Sequence, residues 1–185
     1  MSRAYRITVK ESLSRHVQVE DGVSSSLELL PILPKARMRE LLAAELTRRG
    51  FERDGNGAKR DAGKGVTVTV DLESGAVSVT AEGHARLNLS TERTAAVESP
   101  TDAHEQALRQ KAQQALEREA KAEEEVLRRQ VTERLAGTLR DLKDELDGVA
   151  NRVTAAALKQ RAAELGQVEE IHEEPNGGLT IKVRV

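Results

Sequence analysis

Residues 103–165 constrain the fold more than any other stretch, because they contain no proline and are rich in alanine, glutamate, arginine and leucine. They carry 12 acidic and 12 basic residues, a balance that suits an exposed helix stabilised by ion pairs between residues four apart. Gly137 and Gly148 interrupt the stretch, and glycine costs about 1 kcal/mol relative to alanine inside a helix. The sequence therefore predicts either one long helix, kinked or broken near Gly148, or a helical hairpin that turns there.

An apolar seam runs along the second half of this segment. Its members recur at spacings of 4, 3, 4, 3 and 4 residues, which is the pattern of a coiled-coil contact. They are Leu135, Leu139, Leu142, Leu146, Val149 and Val153. One interpretation of the seam is packing within the chain, and the alternative is a surface offered to another protein or to a second copy. These six residues are the predicted partner-binding residues.

Alternating apolar residues predict strands in the N-terminal region, residues 1–100. Strands are expected around residues 5–9 and 17–19, a helix at about 35–49 and a hairpin at about 66–82. Asp21-Gly22 is expected to form a turn and residues 24–26 a loop. The glycine-rich stretch at 57–65 is expected to be a flexible loop in which Lys59, Arg60 and Lys64 are solvated. Five valines are predicted to share the buried face of the hairpin: Val66, Val68, Val70, Val77 and Val79.

The last twenty residues, 166–185, predict a second hairpin, because Pro175-Asn176-Gly177-Gly178 contains the strong turn signal Asn-Gly. A lone hairpin is marginally stable in water, and the other strand-like segments lie before residue 95. The hairpin is therefore expected to return to the N-terminal sheet. The predicted fold class is α+β, with an antiparallel sheet built from both ends of the chain, one packed helix and a long, coiled-coil-like helical insertion.

The composition excludes several kinds of functional site. The chain has no cysteine, which removes disulfides and thiolate metal sites. Tyr5 and Phe51 are its only aromatic residues, so a base-stacking surface is not expected. Gly63-Lys64 lacks the other residues of a phosphate-binding loop, and the four histidines show no ligand spacing. No catalytic residue, cofactor or metal is predicted, and we expect the protein not to be an enzyme.

The charge distribution bears on location and on one alternative function. The net charge is −2, and no segment has the length of a membrane span or the apolar core of a signal peptide. A cytoplasmic protein is therefore expected. A weak nucleic-acid-binding module is an alternative, although Glu40 and Glu45 interrupt its basic surface. That surface would use Lys59, Arg60 and Lys64 with the arginines of the first helix, Arg37, Arg39, Arg48 and Arg49.

Three features together resemble small accessory proteins of bacterial FtsH–vWA ternary systems. They are the strand AYRITVKES, the helix and hairpin that follow it, and the ending AAELGQVEEIHEEPNGGLTIKVRV. In such systems an FtsH-like AAA+ ATPase and a von Willebrand A-domain (vWA) protein are encoded with several further domains. The resemblance implies an accessory subunit of an ATP-driven complex whose partner is an AAA+ ATPase or a vWA-domain protein. It transfers no functional residue.

The sequence therefore predicts a non-enzymatic adaptor that binds protein partners through residues 103–165. Two alternatives stay open at this point. One is a structural protein that self-assembles through the Leu135–Val153 seam, and the other is the nucleic-acid-binding module.

Overall fold

The computed structural model describes residues 5–99, 101–173 and 178–184, and the described chain has an α+β fold. The fold class, with its antiparallel sheet, single packed helix and long second helix, is confirmed. In chain order the elements are β1 (Tyr5–Ser26), α1 (Lys35–Arg48), β2 (Glu52–Asp54), β3 (Gly57–Gly63), β4 (Val66–Asp71), β5 (Ala76–Val97), α2 (Asp102–Leu165), β6 (Gln167–Glu173) and β7 (Leu179–Arg184).

The chain folds into two compact units. The first, called here the ribbon unit, consists of the described residues of Met1–Asp21 and Glu82–Glu133. The second, called the sheet unit, consists of the described residues of Gly22–Ala81 and Arg134–Val185. Each of β1, β5 and α2 contributes one stretch to each unit.

The ribbon unit pairs one stretch of β1 with one of β5 and packs them on the first half of α2. Polar side chains meet across the strands, as in the hydrogen bond from Ser14 Oγ to Asn88 Oδ1 at 2.9 Å. Arg15 Nη2 donates to both carboxylate oxygens of Glu117 on α2, at 2.8 and 3.1 Å. The alternating valines of β1 and the helically spaced residues of α2 are buried in one aliphatic core. Its members are Val9, Val17, Val19, Ala112, Leu116, Ala120 and Val131.

The sheet unit is built from successive antiparallel hairpins. The strand order of the five-stranded sheet is β1-β5-β4-β3-β2. As predicted, all five valines of β4 and β5 are buried, each at most 3% exposed. Helix α1 adds Met38, Leu42 and Leu46 to this core, which is the face expected from their helical spacing.

Strands β1 and β5 are longer than predicted. The expected turn at Asp21-Gly22 and loop at residues 24–26 are wrong, because β1 continues to Ser26. Gly22 lies close to its neighbour on β5, where an added Cβ would be 3.3 Å from the carbonyl oxygen of Val79. Close cross-strand approach is a common use of glycine in strands, so Gly22 serves pairing here instead of a turn.

The flexible loop predicted at residues 57–65 is also wrong, because β3 occupies most of this stretch and a tight turn lies at each end of that strand. Asp54 pairs with Gly57 and Gly63 with Val66. Positive φ angles at Gly55 (56°), Lys64 (54°) and Gly65 (76°) supply the left-handed backbone that two-residue hairpin turns need. The glycines therefore mark turns between strands rather than flexibility.

Helix α2 is continuous from Asp102 to Leu165, so neither the break near Gly148 nor the helical hairpin is present. The two glycines differ in their surroundings. An added Cβ at Gly137 would meet no atom within 4 Å, whereas one at Gly148 would lie 3.1 Å from Nη2 of Arg49. Gly148 thus makes room for a side chain that packs against the helix.

Alanine substitutions should separate these two roles. We expect Gly137→Ala to raise the free energy of unfolding of the sheet unit by about 1 kcal/mol, which is the helix-propensity difference. Gly148→Ala should gain less, because the Arg49 guanidinium must move. Hydrogen exchange of amides in α2, with the two variants compared directly, measures both effects. Equal gains would contradict the role assigned to Gly148.

The C-terminal hairpin forms, but its expected return to the N-terminal sheet is corrected. Among the described residues, β6 and β7 pair only with each other and make a separate two-stranded sheet. Gly166 alone connects α2 to β6, so the hairpin has no linker with which to reach the larger sheet. Instead, the hairpin stays at the helix end, where Lys159 Nζ of α2 forms an exposed ion pair with Glu173 of β6. The predicted turn at Pro175-Asn176-Gly177 lies outside the described residues.

A β-bulge in β6 places the apolar residues of the C-terminal hairpin on one face. Val168 pairs with Val183 and Ile171 with Ile181, with a register shift between Val168 and Glu170. Without the extra residue, a spacing of three would place Val168 and Ile171 on opposite faces. The bulge therefore gathers the four apolar residues on one face.

Candidate functional site

The predicted seam lies within the sheet unit, and most of it is buried there. Four of its residues, Leu135, Leu142, Val149 and Val153, are at most 4% exposed. The remaining two, Leu139 and Leu146, are only partly buried. This burial is the packing within the chain that the sequence left open, and partner binding through the seam stays a prediction. Leu139 and Leu146 are the seam residues that retain exposed surface.

Leu139 and Leu146 line an apolar groove of about 620 Å³. Buried Val77 and Val79 of β5 contribute to its lining, as does Leu27, which follows β1. Val23 of β1 lines it too and is 42% exposed. Charged residues of both signs also line it, together with an uncharged polar residue. They are Glu28, Lys143, Asp147 and Asn151. An apolar interior beside charged groups is the usual character of a protein or ligand contact site.

An ion pair joins β3 to α2 at Glu145, the residue before Leu146. Arg60 donates from Nη1 and Nη2 to the two carboxylate oxygens of Glu145, each at 2.7 Å. The same Nη1 donates to the backbone oxygen of Arg49 at 2.9 Å. The Arg60 guanidinium also lies 4.4 Å from the centroid of the Phe51 ring. One side chain therefore joins β3, the end of α1 and α2.

Arg49 makes a second set of contacts to α2. Its Nη1 donates to the backbone oxygen of Glu145 at 3.1 Å, and its Nε donates to Glu45 Oε1 at 3.1 Å. Glu45 is 4% exposed, and its carboxylate is also 3.5 Å from guanidinium nitrogens of Arg48 and Arg152. This buried acid is thus surrounded by cations, which is the condition under which proteins bury a charge. We call Glu45, Arg49, Arg60 and Glu145 the arginine clamp.

The contact between Arg60 and Glu145 shifts the pKa of both side chains. Hydrogen bonding to Arg60 holds the pKa of Glu145 below its ordinary value of 4.5, against a smaller opposing effect of burial. The charges of Arg60 and Arg49 lower that pKa further. Hydrogen bonding to Glu145 raises the pKa of Arg60. Both groups are therefore charged at neutral pH, and their arrangement suits structural support of the contact between β3 and α2.

Sequence reasoning missed the clamp, and it misplaced Arg60 as a solvated loop residue. The available signal was the aromatic residue Phe51, but it does not show which acid lies opposite Arg60. The clamp also bears on the alternative nucleic-acid surface. Arg49 and Arg60 are engaged with Glu45 and Glu145, which reduces the positive charge that a phosphate backbone would meet.

Other chemical groups considered from the sequence do not assemble. Within residues 5–99, 101–173 and 178–184, no three histidine or acidic side chains are grouped as metal ligands would be. His84 instead lies 3.5 Å from Glu82. None of the helices in the described chain combines the length and apolar character needed to cross a membrane.

Comparison with known proteins identifies one relationship. The whole chain, residues 1–185, matches a family model described as FtsH ternary system domain X5. No curated protein and no solved structure matches the chain. The match covers both units, so the groove and the clamp both lie within the family domain.

Proposed function

Because the chain belongs to the FtsH ternary system domain X5 family, we propose that it is a non-enzymatic accessory subunit that binds another protein of the same system. The proposed partner is the FtsH-like AAA+ ATPase, with the vWA-domain protein as the second choice, and the proposed compartment is the bacterial cytoplasm. Membership of a ternary system supports the accessory role. The geometry of the chain suggests which surface makes the contact.

The apolar groove is the observation that carries this proposal. It offers partly exposed leucines at its wall and buried valines at its base. A partner side chain that enters such a groove removes apolar area from water at about 25 cal/mol per Å². The arginine clamp fixes the helix segment that carries Leu139 and Leu146, so the groove does not have to be ordered on binding. Preorganisation of this kind favours affinity.

Point substitutions in the groove test the proposal. Binding of the purified chain to the FtsH-like ATPase, and separately to the vWA-domain protein, is measured by isothermal titration calorimetry. Leu139→Glu and Leu146→Glu should each weaken binding at least about tenfold, the effect expected of a central contact residue. Deleting residues 103–165 would not test the contact, because that segment supplies Leu142, Val149 and other core residues, and its loss would disrupt the fold.

The matched control is Leu158→Glu. Leu158 lies on the same helix and is 37% exposed, but it does not line the groove. Its substitution should leave the affinity unchanged, and circular dichroism should show that all three variants keep the helix. If the groove variants bind both proteins as tightly as the unchanged chain, the groove is not the contact site.

A further inference from the structure

The edge of β1 in the ribbon unit is long and unpaired. From Tyr5 to Asp21, β1 has β5 on one side, and none of the described strands pairs with its other side. Natural proteins keep such edges short or protect them, because an unpaired row of backbone amide and carbonyl groups readily accepts another strand. Strands usually have roughly 5–6 residues, so this edge far exceeds what is normally left open.

The charges along this edge are satisfied in all but two cases. Lys10 pairs with Glu92 of β5, while Glu11 and Arg15 pair with Arg109 and Glu117 of α2. Arg6 and Glu20 are both exposed and have no ion pair or side-chain hydrogen bond among the described residues. The unpartnered charges are of opposite sign and lie near opposite ends of the stretch.

We propose that β1 pairs with β1 of a second copy of this chain, antiparallel and with the two-fold axis at Leu13. In this register Arg6 faces Glu20 of the second copy, and the symmetry makes the contact twice. Glu11 faces Arg15 in the same way. A closed two-fold interface uses one patch on both copies, and this strand is complementary to itself about its centre.

The apolar residues of β1 agree with the same register. Ile7 faces Val19, Val9 faces Val17, and Leu13 faces itself. Directly opposed apolar pairs stabilise antiparallel strands. Ile7 and Leu13 are only partly buried in the single chain, so a second copy would complete their burial. The result is a four-stranded sheet with α2 of both copies on one face.

Neighbouring registers lack this agreement. Sliding one copy by two residues in either direction places Glu11 opposite Leu13 or Val17 and leaves Arg6 opposite Gln18 or Gly22. A slip by an odd number of residues would oppose residues of different faces. Charge and apolar pattern therefore select one register, which makes the proposal specific enough to test by position.

Charge reversal tests the Arg6–Glu20 contact. Sedimentation equilibrium of the full chain should show a dimer. Glu20→Arg should raise its dissociation constant at least about tenfold, because the new arginine faces Arg6 of the second copy and the two-fold axis makes this repulsive contact twice. The double variant Arg6→Glu with Glu20→Arg should restore the dimer. The control, Arg86→Glu, changes a charge on the same polar face but on β5, and it should have no effect. A monomer at every concentration overturns the proposal, as does a dimer that Glu20→Arg leaves unchanged.

Cysteine cross-linking tests the register directly. The chain has no cysteine of its own, and residues opposed in an antiparallel pair have Cα atoms about 4.5–5.5 Å apart, within the range that a disulfide spans. Thr8 and Gln18 oppose each other across the proposed interface and are exposed. An oxidised mixture of Thr8→Cys and Gln18→Cys chains should form a covalent heterodimer. Neither variant alone should form a covalent dimer, because the same residue in the two copies is far apart in this register. Absence of the heterodimer, or equal cross-linking in the single variants, overturns the register.

Discussion

Glu145→Gln is expected to lower the free energy of unfolding of the sheet unit by about 3 kcal/mol. The change keeps the size of the side chain but removes the charge that accepts two hydrogen bonds from Arg60. Hydrogen bonds to charged groups contribute about 1.5–3 kcal/mol, and the substitution also leaves the partly buried guanidinium without its counter-ion. Hydrogen exchange of backbone amides in residues 49–63 measures the loss at the clamp.

Acidification provides the matched control for this variant. The pKa of Glu145 is lower in the folded chain than its ordinary 4.5, so its stabilising contribution is complete above 4.5 and is lost as the pH falls through the lowered pKa. The unchanged protein should therefore approach the Gln variant in stability as the pH falls. A stability difference that stays constant down to the lowest pH would show that the loss comes from packing and not from the charge.

Gly83→Ala is expected to destabilise the ribbon unit by about 1–3 kcal/mol, the usual cost of overpacking a core. Gly83 lies on β5 beneath α2, where an added Cβ would be 2.5 Å from Cγ2 of Val131 and 3.1 Å from Cδ1 of Leu127. Val131 is fully buried, so it cannot turn away. Faster hydrogen exchange in residues 84–97 measures the effect.

A second substitution shows whether the clash is the cause. Val131→Ala removes the methyl group that the new Cβ would meet, so Gly83→Ala should cost less in that background than in the unchanged chain. This difference is the coupling free energy of a double-mutant cycle. Additive losses would place the destabilisation elsewhere, for instance in the backbone of β5.

Elements that depend on local pattern were predictable from the sequence. The alternating valines at 66–70 and 77–79 and the helical spacing of Met38, Leu42 and Leu46 identify both the element and its buried face. Proline-free composition likewise predicts the helical segment that becomes α2. In the strands and in α1, the apolar side chains recur with the period of the backbone, so residues close in sequence are enough to identify the element and its buried face.

The candidate site was predictable only in part. Leu139 and Leu146 were named from the seam, but their groove also needs Val23, Leu27 and β5, which are distant in sequence. The arginine clamp was missed altogether, since Arg60 and Glu145 are separated by 85 positions. A long-range ion pair leaves no periodic signal, and either residue alone resembles an ordinary surface charge.

The sequence alone determined the helices, the main hairpins and the aliphatic character of the core, because these follow from local propensity and side-chain period. Tertiary structure decided the rest. It extended β1 through Gly22, since pairing with β5 outweighs the turn preference of Asp-Gly, and it kept α2 continuous through Gly148, where Arg49 packs. These outcomes depend on contacts between segments far apart in the chain, whose free energies exceed the local preferences that they override.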